Sequence, residues 1–206
     1  MKTKDRDSQS YFAIVDSFLK QAELEPKQYD LLTNELKRYL TLKLERGSYF
    51  HPAITKFCTD WYREFYRLID GQDPYKKLKE KSNLEAMRIL PKLHPQSFKD
   101  IINIALKGNK LDYGAVLVLN PDLENLENEF KSLNSTNISL DDTQELEQAI
   151  TQAQSILFLP DNAGEIIFDI PLFKFLKQHG PHNITIAAKE TPMLNDVTVH
   201  ELRELG

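Results

Sequence analysis

Residues 155–159 (Ser-Ile-Leu-Phe-Leu) form an apolar run that meets Pro160 and then Asp161-Asn162-Ala163-Gly164-Glu165. An amphipathic stretch follows at 166–178, and a second apolar run at 183–188 (Asn-Ile-Thr-Ile-Ala-Ala). The pattern is strand, helix, strand, with the period shifting from that of a buried strand to that of a helix and back. A helix between two strands supplies the crossover that parallel neighbours need, so these residues predict a βαβ unit in an α/β fold. Such crossovers are right-handed, and ligands collect at the carboxyl ends of the strands.

Two acidic positions fall at those ends. The first is Asp161, with Asn162 beside it in the turn before the helix. The second is Asp196, in Pro192-Met193-Leu194-Asn195-Asp196-Val197-Thr198 after the second strand. One strand-helix-strand repeat separates them, so both side chains are expected to converge on one site. Asp161, Asn162 and Asp196 would form an oxygen-rich group that suits Mg²⁺ or Mn²⁺ better than zinc. The backbone N–H groups of the helix start, including that of Gly164, would suit a phosphate. A plainer reading stands beside this one: Asp161 and Asn162 cap the following helix, and Asp196 caps another beginning near Val197.

Upstream, apolar residues recur three and four apart, as in amphipathic helices. The stripes are Phe12, Val15, Phe18 and Leu19; Leu32, Leu36, Leu40 and Leu44, stopped by Gly47; and Phe57, Trp61, Phe65 and Leu68, stopped by Asp70-Gly71. Asp73-Pro74 marks a turn, residues 84–90 a short helical piece ended by Pro91, and Phe98, Ile101, Ile102 and Ala105 a further helix toward Gly108. After Gly114 come a short apolar run at 115–119, a polar stretch, and a helix over 142–153 with Asp141 near its cap. The expected organisation is a helical domain over 1–107 and a Rossmann-like α/β layer with parallel strands over 108–206.

Composition narrows the function classes. With 206 residues and 41% apolar content, the chain can bury a substantial core. No apolar run approaches the roughly 20 residues that cross a bilayer, and the N-terminus lacks the apolar centre of a signal peptide, so a cytoplasmic protein without a membrane partner is expected. Cys58 is the single cysteine, which leaves no intrachain disulfide or cysteine-rich zinc site. Residues 1–100 carry 19 Lys/Arg against 15 Asp/Glu, and residues 101–206 carry 7 against 16. An acidic second half argues against a nucleic-acid surface there and is compatible with a cation site. The basic run Lys76, Lys77, Lys79 and Lys81 reads as one face of a solvated helix. The five histidines are scattered, and no P-loop or Gly-x-Gly-x-x-Gly turn follows a strand, which disfavours a nucleoside cofactor.

Four segments, in order, resemble motifs of the damage-control phosphatases. These are metal-dependent phosphatases once catalogued as a domain of unknown function and also described as protein carboxyl methyltransferases. The segments are Asp73-Pro-Tyr-Lys-Lys-Leu-Lys79, Gly108-Asn-Lys-Leu-Asp-Tyr-Gly114, Asp161-Asn-Ala-Gly-Glu-Ile-Ile-Phe-Asp169 and Leu194-Asn-Asp-Val-Thr198. The Glu-Ile-Ile-Phe-Asp version resembles the stand-alone prokaryotic-type subgroup.

The resemblance implies hydrolysis of phosphate monoesters of small metabolites, such as sugar phosphates or damaged cofactor intermediates. Its implied cofactor is Mn²⁺, Mg²⁺, Co²⁺ or Ni²⁺, held by Asp161, Asn162 and Asp196. It also implies that Asn109 and Asp112 face the same cleft near substrate. Asp161 is the expected catalytic residue, either attacking phosphorus directly or holding the cation that positions water; the two routes stay open. Glu165 is either a general base that orients that water or an ordinary acidic residue in a first helical turn. Members of the family continue past this point into a Lys-Gly-x-x-Asn-type segment of the phosphate pocket, so the resemblance implies that the C-terminal part is missing. The alternative is a non-catalytic or truncated module that binds a metal or a phosphorylated metabolite. Substrate identity and oligomeric state are not legible in the residues.

Overall fold

The computed structural model describes Leu19, Ala22 and residues 24–45, 54–109, 126–130 and 138–205. Expectations on Phe12, Val15, Phe18, the 115–119 run and Asp112 lie outside the described residues, as do those on the side chains of Leu40, Leu44, Phe57 and Cys58. By packing, the chain divides into two compact units, Met1–Tyr75 and Lys76–Gly206. The domain boundary expected at 107/108 falls inside the second unit, because the helices from Lys76 to Gly108 pack with the α/β elements that follow them.

In the first unit, α1 (Pro26–Glu45) packs against α2 (Ile54–Leu68). Leu32, Leu36, Trp61 and Phe65, all on the stripes expected from the sequence, are fully buried. Helix α2 stops where foreseen. Asp70 and Gly71 take φ of 55° and 71°, and the Gly71 N–H donates to the Tyr66 carbonyl at 2.7 Å, closing the last turn. A left-handed residue there ends the helix, and glycine adopts that conformation without a Cβ penalty. Asp73 Oδ1 then accepts from the Tyr75 N–H at 2.9 Å, which fixes the Asp-Pro turn.

The second unit begins with α3 (Lys76–Ile89), longer than the 84–90 piece read from the sequence, followed by a 3₁₀ turn (Leu90–Lys92) at Pro91. Helix α4 (Phe98–Gly108) opens on a capping box in which Ser97 Oγ accepts from the Asp100 N–H and the Asp100 carboxylate accepts from the Ser97 N–H. Next come α5 (Leu126–Glu129), α6 (Thr143–Gln152), β1 (Ile156–Phe158), α7 (Glu165–Phe168), α8 (Ile170–His179), β2 (Ile184–Ile186) and α9 (Val199–Glu204). The helix expected over 166–178 is therefore two pieces joined at Asp169, with Pro171 in the first turn of the second. Proline is suited to that position, where a missing N–H costs little.

β1 and β2 pair in parallel, Ile156 against Ile184 and Phe158 against Ile186, as the βαβ reading requires. The expectation that both strands are buried needs correction. α8 covers one face, with Phe173 edge-on to Phe158 at 4.7 Å and Leu176 beside Ile156 and Ile184. On the other face Leu157 is 63% exposed, because no described element lies over it.

The core of this unit joins Ala86 and Ile89 of α3, Ile104 of α4, Phe130, Ile166, Ile167 and Phe168 of α7, and Val197. Phe130 stacks on Phe168 at 4.4 Å. Burying side chains of this size stabilises by roughly 1.5–3 kcal/mol each, so α7, although one turn long, is held firmly by α3 and α4.

The Lys76–Lys81 run also departs from expectation. Lys79 is 1% exposed, and its ammonium lies 2.6 Å from the Glu201 carboxylate of α9. An amphipathic pattern counts charge as solvent-facing, whereas here a carboxylate from a distant helix meets the inward lysine.

Candidate active site

The turn after β1 and the loop before α9 are joined along their backbones. Asn162 and Asp196 form an isolated antiparallel bridge. The Ala163 N–H donates to the Asn195 carbonyl at 2.9 Å, and the Val197 N–H donates to the Asp161 carbonyl at 2.8 Å. The main chain of the Asp161-Asn162 turn therefore lies against that of the Asp196 loop. Asn162 is 1% exposed and Asp196 8%, while Asp161 stands open to solvent.

The capping alternative does not describe this turn. Gly164 occupies the N-cap position of α7, with φ of 81° and no side-chain cap, so neither Asp161 nor Asn162 is used that way. At the other loop the cap of α9 is Thr198. Its hydroxyl accepts from the Glu201 N–H at 3.3 Å, while Glu201 Oε2 accepts from the Thr198 N–H at 2.7 Å. Asp196 is left out of helix capping and keeps its carboxylate for the site.

Two devices shape the turn. A side chain at position 164 would be strained by the left-handed φ, which explains the glycine. The Gly164 N–H donates to Asn83 Oδ1 on α3 at 2.6 Å, so this N–H is already engaged within the protein. Leu194 carries φ of 53° just ahead of Asn195-Asp196. Strain of this kind, about 1–3 kcal/mol in a non-glycine residue, persists only where surrounding contacts enforce it, and it clusters at functional sites.

Glu165 links the turn to the end of α4. Asn109 Nδ2 donates to its two oxygens at 3.1 and 3.2 Å, and Asn162 Nδ2 donates to Oε2 at 3.1 Å. Burial raises the Glu165 pKa, against the effect of the two amides. This approach depends on Gly108, since a Cβ there would sit 2.9 Å from Phe168 Cβ. The glycine lets α4 end against α7 and so brings Asn109 to Glu165. Asp112, the other residue expected near substrate, lies outside the described residues.

The donor set fits a hard cation. Asn162 points its amide nitrogen at Glu165, which directs its carbonyl oxygen elsewhere, and the Asn162 main chain is bridged to that of Asp196, so the residue types on hand are the oxygen donors a hard cation takes. A protein cation already lies there. Lys189, just past the carboxyl end of β2, forms an ion pair with Asp196, and partial burial lowers its pKa while the Asp161 charge opposes that fall. Sequence reading missed Lys189 and Asn83; the signal for Lys189 was its place after the second strand, at the same end as Asp161. Asp169 is also buried, and desolvation followed by the nearby Glu165 charge pushes its carboxyl to about 7.

A helix-rich α/β unit with an Asp-Asn turn facing a second aspartate at the carboxyl ends of two parallel strands narrows the choice of family. The sequence profile of the damage-control phosphatase ARMT1-like domain matches residues 9–205, and the chain belongs to that family. Damage-control phosphatase PH1575 of Pyrococcus horikoshii is 30% identical over 171 residues, covering 81% of this chain and 58% of that protein. A damage-control phosphatase of Archaeoglobus fulgidus is 25% identical over 193 residues, covering 89% and 64% respectively. The chain thus spans about three-fifths of the length of these relatives. The crystal structure of the DUF89 family protein PH1575 matches the fold with a TM-score of 0.74 at 23% identity, over 99% of this chain and 70% of that one. No helix among the described residues is long and apolar enough to cross a membrane.

Proposed function

We propose that this protein is a phosphatase of small phosphorylated metabolites, such as sugar phosphates or damaged cofactor intermediates, with a divalent cation held by Asp161, Asn162 and Asp196. The observation that carries the reading is the Asn162–Asp196 bridge, which joins the Asp161-Asn162 turn after β1 to the Asp196 loop after β2 along the main chain. Mn²⁺, Mg²⁺, Co²⁺ or Ni²⁺ bound there would neutralise phosphoryl oxygens and favour attack by water. The chain's own residues supply the frame. Glu165 holds the Asn162 amide so that its oxygen is available, and Asn109 fixes Glu165 in turn. Asp161, the exposed member, is the carboxylate nearest to an incoming substrate. The family match and the names of the two archaeal relatives, both damage-control phosphatases, support the reaction class.

The test is hydrolysis of a generic aryl phosphate with each of the four metals, comparing the chain with Asp161→Ala and Asp196→Ala. Metal-dependent turnover lost in both variants is expected. A folded protein inactive with every metal would favour the module that binds metal or phosphometabolite without turnover.

A further inference from the structure

Lys189 is fixed at its backbone and engaged at its tip. Its carbonyl accepts from the Val199 N–H at 2.9 Å, and it forms an isolated parallel bridge with Thr198, so the main chain beside the site is tied to the start of α9. Its side chain, 51% exposed, reaches the carboxylate of Asp196, which is nearly buried, and the Asp161 charge acts on the same ammonium. Asp196 pairs with this ammonium and the Asp161 charge also acts on it, so two negative groups share one compensating cation.

The geometry points to Lys189 as an exchangeable counter-ion of the metal site: its ammonium neutralises Asp196 and Asp161 when no divalent cation is bound, and it must give up Asp196 when one binds. The inference rests on the proposed cation site at Asp161, Asn162 and Asp196. A lysine ammonium and a divalent cation both use the lone pairs of the Asp196 carboxylate, and a carboxylate held by one is weakened as a ligand for the other. The long flexible stem suits exchange, since half of the side chain is already in solvent. The consequence is an affinity for metal set below that of the bare oxygen donors, together with an apo site that does not destabilise the fold.

Mn²⁺ titration by calorimetry, together with thermal unfolding with and without saturating Mn²⁺, tests this on the full chain and on Lys189→Met, Lys189→Arg and Asp196→Asn. Exchange predicts that Lys189→Met binds Mn²⁺ about fivefold more tightly, the upper end for one partly exposed ion pair, and that Lys189→Arg stays near the parent. It also predicts that Lys189→Met melts about 3 °C lower without metal and at the parent temperature with it. An unchanged Mn²⁺ affinity in Lys189→Met, or a melting deficit that persists with metal, overturns the exchange while Asp196-dependent binding still upholds the cation site. If the parent binds no Mn²⁺, or Asp196→Asn binds it equally well, both the cation site and the exchange fall.

Discussion

Asn162 and Asp196 meet as an antiparallel bridge, although two helical pieces and a strand separate them in the chain. Everything proposed for the site depends on that meeting. The flanking bonds from Ala163 to Asn195 and from Val197 to Asp161 make it a feature of the main chain rather than of two mobile side chains.

The role proposed for Glu165 is to orient Asn162, whose Nδ2 donates to its Oε2 at 3.1 Å. Replacing Glu165 by Gln removes one of the two acceptor oxygens and sets an amide N–H₂ group against an amide donor. Glu165→Gln is expected to weaken Mn²⁺ binding by about tenfold, within the usual range for partners that orient a ligand, with little change in fold. Calorimetric titration beside a circular dichroism spectrum checks both halves; unaltered affinity would remove Glu165 from the site.

Gly108 allows α4 to approach α7. Gly108→Ala forces a methyl group to within 2.9 Å of Phe168 Cβ, at an expected cost of about 1–3 kcal/mol, read as a lower denaturant midpoint. Because Asn109 follows directly, the same variant should also loosen metal binding. Undiminished stability would mean that the two helices can separate freely.

Lys79, which is buried, and Glu201, which is partly buried, form a pair that ties α3 to the cap of α9. Burial pushes the Glu201 carboxyl up, but Lys79 and Thr198 outweigh it and hold the group below its ordinary range. Lys79→Met strands that carboxylate and is expected to cost about 3 kcal/mol. Adding Glu201→Gln, which keeps an acceptor for Thr198, should recover part of the loss. A double variant as unstable as the sum of the singles would show that the pair is not coupled.

Asp169 gives a pH signature of unusual sign. Its carboxyl titrates near 7 when folded, because of burial and then Glu165, and near 3.9 when unfolded. Between those values the folded state holds a proton that the unfolded state has released, so this group's contribution to stability falls as pH rises from about 4 to 7 and is level above. Three pH units bound the effect at about 4 kcal/mol. Asp169→Asn should therefore be more stable than the parent at pH 8, by about 2 kcal/mol, with the advantage gone at pH 4. Equal denaturation midpoints at pH 8 would place the Asp169 titration in the ordinary carboxylate range.

Much of this was legible in the residues, and what was not has physical causes. Period and punctuation located the two strands, the Asp70-Gly71 stop and the approach of the Asp161-Asn162 turn to the Asp196 loop, since a βαβ crossover leaves few ways to arrange its ends. The exposure of Leu157 was not legible, because an apolar strand reads as buried whether one face or two are covered. Lys79 and Lys189 escaped for a shared reason. Each is a charge whose partner, Glu201 or Asp196, comes from a distant segment, and helical or strand periodicity carries no information about it. The Asn83 link to the Gly164 N–H is of the same kind.

The central claim is that Asp161, Asn162 and Asp196 jointly hold a divalent cation. Crystals grown with Mn²⁺ and measured at a wavelength where manganese scatters anomalously test it most directly. The account predicts a single strong anomalous peak with oxygens of all three residues at roughly 2.1 Å and the Lys189 ammonium withdrawn from Asp196. A peak elsewhere, or none with the Lys189–Asp196 pair intact, would contradict it.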